Sequence, residues 1–303
     1  MRVRLGTRGS RLALVQCEQV AAALRAHGAR PETVVIRTTG DRLAHAALAD
    51  FGGKALFVKE IEEALLAGRI DVGVHSLKDM PGVLPAGLVL AAFPAREDPA
   101  DVLLSRSPGG WDALPARARV GTSSPRRRAL ILARRADLRP EPIRGNVETR
   151  IGKLAAGEYD ATVLAAAGLR RLGLAPEHLT PLPVDEFVPA VGQGILAVEA
   201  READRELLEL LGRLDDTRSR SEALAERALL RRLGADCHTP VAGHARHEGA
   251  MLVVTGVVAS VDGGTVLRAR VAGAPAEAVG LGTAAAEELI AQGARALLDA
   301  SHG

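Results

Sequence analysis

Four polar side chains crowd the end of the stretch Ile70-Asp-Val-Gly-Val-His-Ser-Leu-Lys-Asp-Met-Pro81: His75, Ser76, Lys78 and Asp79. The apolar alternation of Ile70, Val72 and Val74 predicts a strand, and Met80-Pro81-Gly82 ends it, because proline fits neither a continued helix nor a central strand. A buried strand thus empties into a loop rich in ionisable groups. In open α/β sheets ligands bind beyond the carboxyl ends of strands. The competing reading is a polar strand exit with a solvated Lys-Asp pair.

Arginines form the second set. Gly121-Thr-Ser-Ser-Pro-Arg-Arg-Arg128 places hydroxyls after a strand, Pro125 at the favoured first position of a helix, and Arg126, Arg127 and Arg128 in its first turn. Cations there oppose the helix macrodipole, and a bound anion relieves the conflict. The bland alternative is a solvated basic turn. Pro142-Ile-Arg144-Gly-Asn-Val-Glu-Thr-Arg150 repeats the grammar of short strand, arginine, glycine and helix start. Arg170 and Arg171 close a later helix, where they could simply complement its C-terminus. Three sheet edges that each offer arginine suggest one common anionic ligand, since guanidinium grips carboxylate or phosphate in bidentate fashion.

Of the two cysteines, Cys17 falls on the apolar face of a helix with Leu14, Ala21 and Leu24, as a core residue would. Cys237 lies in the loop Gly234-Ala-Asp-Cys-His-Thr-Pro240, which favours a reactive or attached thiol over a packed one. No second cysteine pair or HExxH completes a metal set around Cys237-His238, so no metal is expected. A disulfide between the two is not expected either.

These groups need elements to position them. Strand Val3–Thr7, turn Gly6–Ser10 with Arg8, and a helix from about Arg11 to His27 capped by Ser10 begin the chain. Thr33–Thr38 reads as a strand. Residues 40–53 lack a pattern and suggest a lid or a long loop. A helix over 57–66 carries Val58, Ile61, Leu65 and Leu66 on its apolar stripe, with Lys59 and Glu63 as a surface pair. Leu88–Phe93 completes a β-α-β-α-β unit. Pro94–Pro99 marks a crossing into a second unit, in which residues 111–117 read as a linker. Phe187–Gly194 marks the return, ahead of a strand over 195–199. Gly192-Gln193-Gly194 is too short for a nucleotide-binding loop. A helix to about Leu233, three strands near 241–246, 251–259 and 265–271, and one final helix over 277–300 make a smaller α+β domain. The division expected is 1–95 with 194–214, 100–188, and 217–303. Two crossings permit hinge closure over a ligand.

Composition narrows the function. At 303 residues the chain has room for two or three domains. Net charge is only +2 and aromatics are 2%, which counts against nucleic-acid binding by charge or base stacking. All of its cations but Lys54, Lys59, Lys78 and Lys153 are arginine. No apolar run reaches the roughly 18–20 residues of a membrane span. The N-terminus enters a strand pattern at once, without a signal peptide, so a cytoplasmic protein with no membrane partner is expected.

With these stretches in hand, the sequence resembles the porphobilinogen deaminase (hydroxymethylbilane synthase) family nearly end to end. The likeness runs through Thr7-Arg-Gly-Ser10, Gly52-Gly-Lys-Ala-Leu-Phe-Val-Lys-Glu60, His75-Ser-Leu-Lys-Asp-Met-Pro81, Arg96-Glu-Asp98, Gly121-Thr-Ser-Ser124 with Arg126-Arg127, Arg144-Gly-Asn-Val147, Ala167-Gly-Leu169, Pro189-Ala-Val-Gly-Gln-Gly194 and Cys237-x-x-Pro240. The resemblance implies an α/β fold. Two similar hinged domains of the type II periplasmic-binding-protein-like kind precede a small α+β C-terminal domain.

It also implies a dipyrromethane cofactor in thioether linkage to Cys237. Four porphobilinogen units would be added with loss of ammonia, and hydroxymethylbilane released by hydrolysis. Asp79 matches the family's catalytic aspartate. Arg8, Arg126, Arg127, Arg144, Arg150 and Arg171 match its carboxylate-binding arginines. Ser10, Lys54, Lys78, Thr122, Ser123, Ser124, Gly145 and Gln193 match further cofactor or substrate contacts. The 40–53 stretch matches a mobile loop, and a monomer is implied. Every pyrrole bears an acetate and a propionate, so the growing chain is a polyanion, as the arginines suggest. Loss of the amino group leaves a cation on a pyrrole ring, which a carboxylate at Asp79 would stabilise. One departure is Ala235-Asp236 where the family commonly has Gly-Gly; Asp236 disfavours a thiolate at Cys237. A non-enzymatic, hinged anion-binding module explains the arginines but leaves Asp79 and Cys237 without a task.

Overall fold

Apolar residues at alternate positions set the first strand, with Val3 and Leu5 fully buried and Arg2 and Arg4 facing outward. The computed structural model describes residues 1–38, 55–235 and 239–300; the expected lid over 40–53 lies outside them. In chain order the first elements are β1 (Arg2–Thr7), α1 (Arg11–Ala26), β2 (Arg30–Val35), α2 (Ala55–Leu66), β3 (Val72–Ser76) and β4 (Leu88–Ala92). Next come β5 (Asp101–Ser105), β6 (Arg119–Gly121), α3 (Pro125–Arg134), β7 (Arg139–Glu141), α4 (Val147–Ala155), β8 (Ala161–Ala165), α5 (Ala166–Leu172) and β9 (Leu179–Pro181). The remainder is β10 (Leu196–Arg201), α6 (Arg205–Gly212), α7 (Thr217–Leu233), β11 (Val241–Glu248), β12 (Met251–Ala259), β13 (Val266–Gly273), α8 (Ala278–Ala291) and α9 (Ala294–Ala300).

The chain divides into two units, Met1–Glu97 with Gly194–Ala223 and Asp98–Gln193 with Leu224–Gly303. The first holds a five-stranded sheet in the order β2-β1-β3-β10-β4. β1 pairs in parallel with β2 and β3, while β10 runs antiparallel between β3 and β4. Helix α1 covers one face, placing Cys17, Val20, Ala21 and Leu24 against Val3, Leu5, Val74 and Val198. Each valine or leucine among them contributes about 1.5–3 kcal/mol when fully buried. The helix starts where Ser10 accepts a hydrogen bond from the Ala13 N–H at 3.3 Å. Leu14 and Leu66, expected on apolar stripes, are instead 38% and 52% exposed, because each sits at the margin of its helix's buried face. Lys59 and Glu63 do form the expected surface pair, at 3.9 Å.

The second unit repeats the plan as β7-β6-β8-β5-β9, again with one antiparallel strand, β5, in the fourth position. In both sheets the antiparallel strand is the one that follows a crossing between units. Grouped with this unit is an antiparallel three-stranded sheet, β11-β12-β13, whose Val254 and Val258 pack with Leu229 of α7 and Leu289 of α8. The fold is therefore mixed α/β: two sheet–helix domains that share one strand plan, and a small C-terminal sheet domain.

Two further local expectations fail. Residues 111–117 are not a plain linker. A 3-10 turn over Gly110–Ala113 buries Trp111, whose ring lies 6.2 Å from that of Phe187 in the core. The last helix is also not continuous but breaks between α8 and α9 at Gln292-Gly293.

Candidate active site

The first unit gathers its chemistry at the carboxyl ends of β1 and β3. β3 is buried on both faces, and its last residue, Ser76, leads into a single 3-10 turn, Leu77–Asp79. Leu77 and Met80 anchor that turn in the core, each 2% exposed, so Lys78 and Asp79 between them are held outward and half-buried. Asp79 lines a pocket with Arg8, Ser10, Gln16, His75 and Ser76. Gln16 on α1 donates from Nε2 to the Ser76 hydroxyl at 3.0 Å, which ties the end of β3 to the helix that Ser10 caps. Lys78 is not part of this lining.

The second unit presents its groups at the corresponding edge. Thr122 follows β6; its Oγ1 accepts from the Ser124 N–H at 3.2 Å, and Ser123 donates to the Ile143 carbonyl at 2.8 Å. Ser124 caps α3 by accepting from the Arg127 N–H, with Pro125 in the first helical position as expected. Arg126 and Arg127 are buried, and their counter-ion is the chain's own Asp101. Arg126 Nη2 and Arg127 Nη2 reach its two oxygens at 2.7 and 2.6 Å. Their Nη1 groups donate to the carbonyls of Val188 and Val163, and Gln193 Nε2 donates to Asp101 and to the Pro99 carbonyl. Burial by itself would raise the Asp101 pKa; the two guanidinium groups outweigh it and hold the carboxyl well below the usual carboxylate range. The cation–dipole conflict at the start of α3 is thus relieved largely from within. The Nε of each arginine remains without a partner.

Arg144 and Arg150 flank the next turn. Gly145 takes φ +108°, and a Cβ there would lie 2.5 Å from the Thr149 methyl carbon, so the backbone admits only glycine without rearrangement. Asn146 then caps α4 by accepting from the Thr149 N–H at 2.8 Å. Arg150 Nε donates to the Gly145 carbonyl. Burial, and then the positive charge of Arg127, push Arg150 down to about 10. A cation held in that way gains from any anion brought near it. Arg171 is half-buried on α5, while its neighbour Arg170 pairs with Asp98 at 2.7 Å. Lys54 and Cys237 lie outside the described residues.

A family model described as the porphobilinogen deaminase dipyromethane cofactor binding domain matches residues 3–209, and the C-terminal domain model of the same enzyme matches residues 221–291. The chain belongs to the porphobilinogen deaminase family. It is 49% identical over 301 residues to the porphobilinogen deaminase of Syntrophus aciditrophicus, with 98% of each chain covered. It is also 49% identical to that of Roseiflexus, over 97% of each chain, and 48% identical to that of Geobacillus, over 98% of this chain and 96% of the relative. The chain is accordingly a transferase of tetrapyrrole biosynthesis that works with a dipyrromethane cofactor.

Reasoning from sequence missed several residues around these family motifs. Gln16 reads as an ordinary helix residue, and only the fold brings it to Ser76. Asp101 opens a strand and shows no sign of its two arginine partners, 25 and 26 residues away. Glu199 gave a usable signal: a carboxylate inside the otherwise apolar run Leu196-Ala-Val-Glu-Ala200 is either exposed or paired, and here it is fully buried. No helix among the described residues is long and apolar enough to cross a membrane.

Proposed function

We propose that this chain condenses porphobilinogen units head to tail on its dipyrromethane cofactor with loss of ammonia, and releases hydroxymethylbilane by hydrolysis. Asp79 is the catalytic carboxylate. The observation that carries this reading is the pocket that joins Asp79 to Arg8 and Ser10 at the carboxyl ends of two neighbouring parallel strands.

The residues of both units suit an anionic pyrrole chain. Arg8 offers a cation beside Asp79, so one substrate can be held by its carboxylates while its ring nitrogen faces the aspartate. Ionised Asp79 accepts a hydrogen bond from a pyrrole N–H and stabilises the positive charge that spreads onto the ring when ammonia departs. The same carboxylate can then receive the proton lost when aromaticity returns. In the second unit Arg144, Arg150 and Arg171 bind acetate and propionate groups, with Thr122, Ser123 and Gly145 shaping the approach. Arg126 and Arg127 add positive field and hold the loop through Asp101 and Gln193. The unpartnered Nε atoms of that pair, and the lowered pKa of Arg150, fit a polyanionic cofactor and product chain. When bound, the dipyrromethane supplies the nucleophilic pyrrole carbon and the anchor for growth. Cys237 would hold it by thioether linkage, with Lys54, Lys78 and Ser10 as further contacts. The domains involved are 1–95 with 194–214, 100–188 and 217–303, in a cytoplasmic monomer.

The test is turnover by Asp79→Ala, measured as ammonia released from porphobilinogen. We expect no turnover with the fold intact by circular dichroism. Substantial residual activity would remove Asp79 from the mechanism.

A further inference from the structure

A buried cluster of ionisable groups lies behind the Asp79 pocket, and the reaction as described leaves it without a task. His75 is the fourth residue of β3, and its Nε2 stands 3.0 Å from Glu199 Oε2 on β10. The two side chains are 4% and 0% exposed. The second oxygen of Glu199 has no hydrogen-bond partner, and neither does Oε1 of Glu62, which projects from α2 and is 8% exposed. Gly73 makes the arrangement possible. It is the register partner of Glu199, and a Cβ on it would sit 2.7 Å from His75 Nε2. The strand omits a side chain where the imidazole folds back to reach the carboxylate. His75 also lines the pocket with Asp79, so the cluster begins at the pocket wall and runs inward.

Two carboxyls and one imidazole, all buried, are neutral overall when they hold two protons among them. Release of one leaves a net negative charge under the pocket, where the low dielectric makes it act more strongly than a surface charge would. Burial first, and the Glu199 charge second, push Glu62 up to about 7, while His75 draws it down. Glu62 therefore exchanges its proton near neutral pH.

We propose that His75, Glu199 and Glu62 form a proton-holding floor to the Asp79 pocket. His75 is a positioning residue that fixes the end of β3 through Glu199, and ionised Glu62 favours a substrate-derived cation in the pocket above. Glu199 from β10 and His75 from β3 act on Glu62 of α2, and the pocket above is lined by His75, by Asp79 from the turn after β3 and by Arg8 from the loop after β1. α1 contributes Gln16, which does not titrate. Among the described residues no group of three or more His, Cys, Asp or Glu is placed to hold a metal ion.

The inference rests on the assignment of the reaction to the Asp79 pocket, and one experiment separates the two. The pH dependence of kcat for porphobilinogen consumption is measured on cofactor-loaded wild type, Glu62→Gln, Glu62→Asp and Asp79→Asn. Glu62→Gln replaces a buried acid with a neutral group of the same shape and is expected to fold. The wild type should show an inflection near neutral pH that Glu62→Gln lacks. On its alkaline side the variant should be about tenfold slower, with KM changed by less than about twofold. Glu62→Asp should retain the inflection. A wild-type profile in Glu62→Gln overturns the floor while leaving the Asp79 assignment standing. Near-normal activity in Asp79→Asn instead refutes the assignment on which the floor depends.

Discussion

Replacing Glu62 by glutamine should change stability in a pH-dependent way whose sign follows from the structure. Glu62 is 8% exposed, and its pKa rises from 4.5 to about 7, chiefly by burial and then by the charge of Glu199. The folded protein therefore keeps a proton that the unfolded chain has released. Between pH 4.5 and about 7 the folded state binds more protons, so stability falls as pH rises through that window and is lowest above it. A shift of that size corresponds to about 3 kcal/mol of native-state destabilisation at alkaline pH, at roughly 1.4 kcal/mol per pKa unit. Glu62→Gln removes this penalty. Relative to wild type it should gain on the order of 3 kcal/mol between about pH 4 and about pH 8. The assay is urea denaturation of both proteins across this range, followed through the same transition. Asp71 provides a control of opposite sign. Hydrogen bonds from Arg4 overcome its burial and hold it at about 2, against 3.8 when unperturbed. Its contribution is complete above pH 3.8 and is lost as pH falls through about 2, so Asp71→Asn should cost about 2 kcal/mol at neutral pH and progressively less in acid. A stability difference between Glu62→Gln and wild type that does not vary with pH would mean that Glu62 ionises alike in the folded and unfolded chain and carries no burial penalty.

Asp101→Asn leaves the guanidinium groups of Arg126 and Arg127 buried without their anion and should destabilise the protein by about 3–5 kcal/mol in chemical denaturation; a cost below about 1 kcal/mol would show that the arginines find other partners. Gly145→Ala places a side chain at φ +108° and 2.5 Å from the Thr149 methyl carbon. It should cost about 1–3 kcal/mol and raise KM for porphobilinogen by displacing Arg144, which steady-state kinetics would show.

How much of this was legible beforehand depended on the range of the interactions. The exit of β3 into Asp79, the Ser10 and Ser124 caps and Pro125 at the start of α3 are local, and the sequence carries them in adjacent residues. Cys17 as a core residue followed from helical spacing. Pairing across long separations did not show. The insertion of β10 between β3 and β4, and the bonds from Arg126, Arg127 and Gln193 to Asp101, join residues that only the fold brings together. Arg126 and Arg127 illustrate the consequence. Local sequence reads them as cations in need of an outside anion, while the structure supplies much of that anion from β5. Trp111 hides its role for a related reason: a short turn rich in glycine looks like a linker until Phe187, far along the chain, closes over it. The Glu62–His75–Glu199 cluster is spread over three elements, and only the buried carboxylate in β10 hinted at it.

If this chain builds a pyrrole polymer on a cofactor held at Cys237, the intact mass of the denatured protein, with peptide mapping, will show it. We expect a covalent two-pyrrole adduct on the peptide containing Cys237, and further single-pyrrole increments when porphobilinogen is added. A chain that is unmodified as purified and stays so after incubation with porphobilinogen would contradict that expectation.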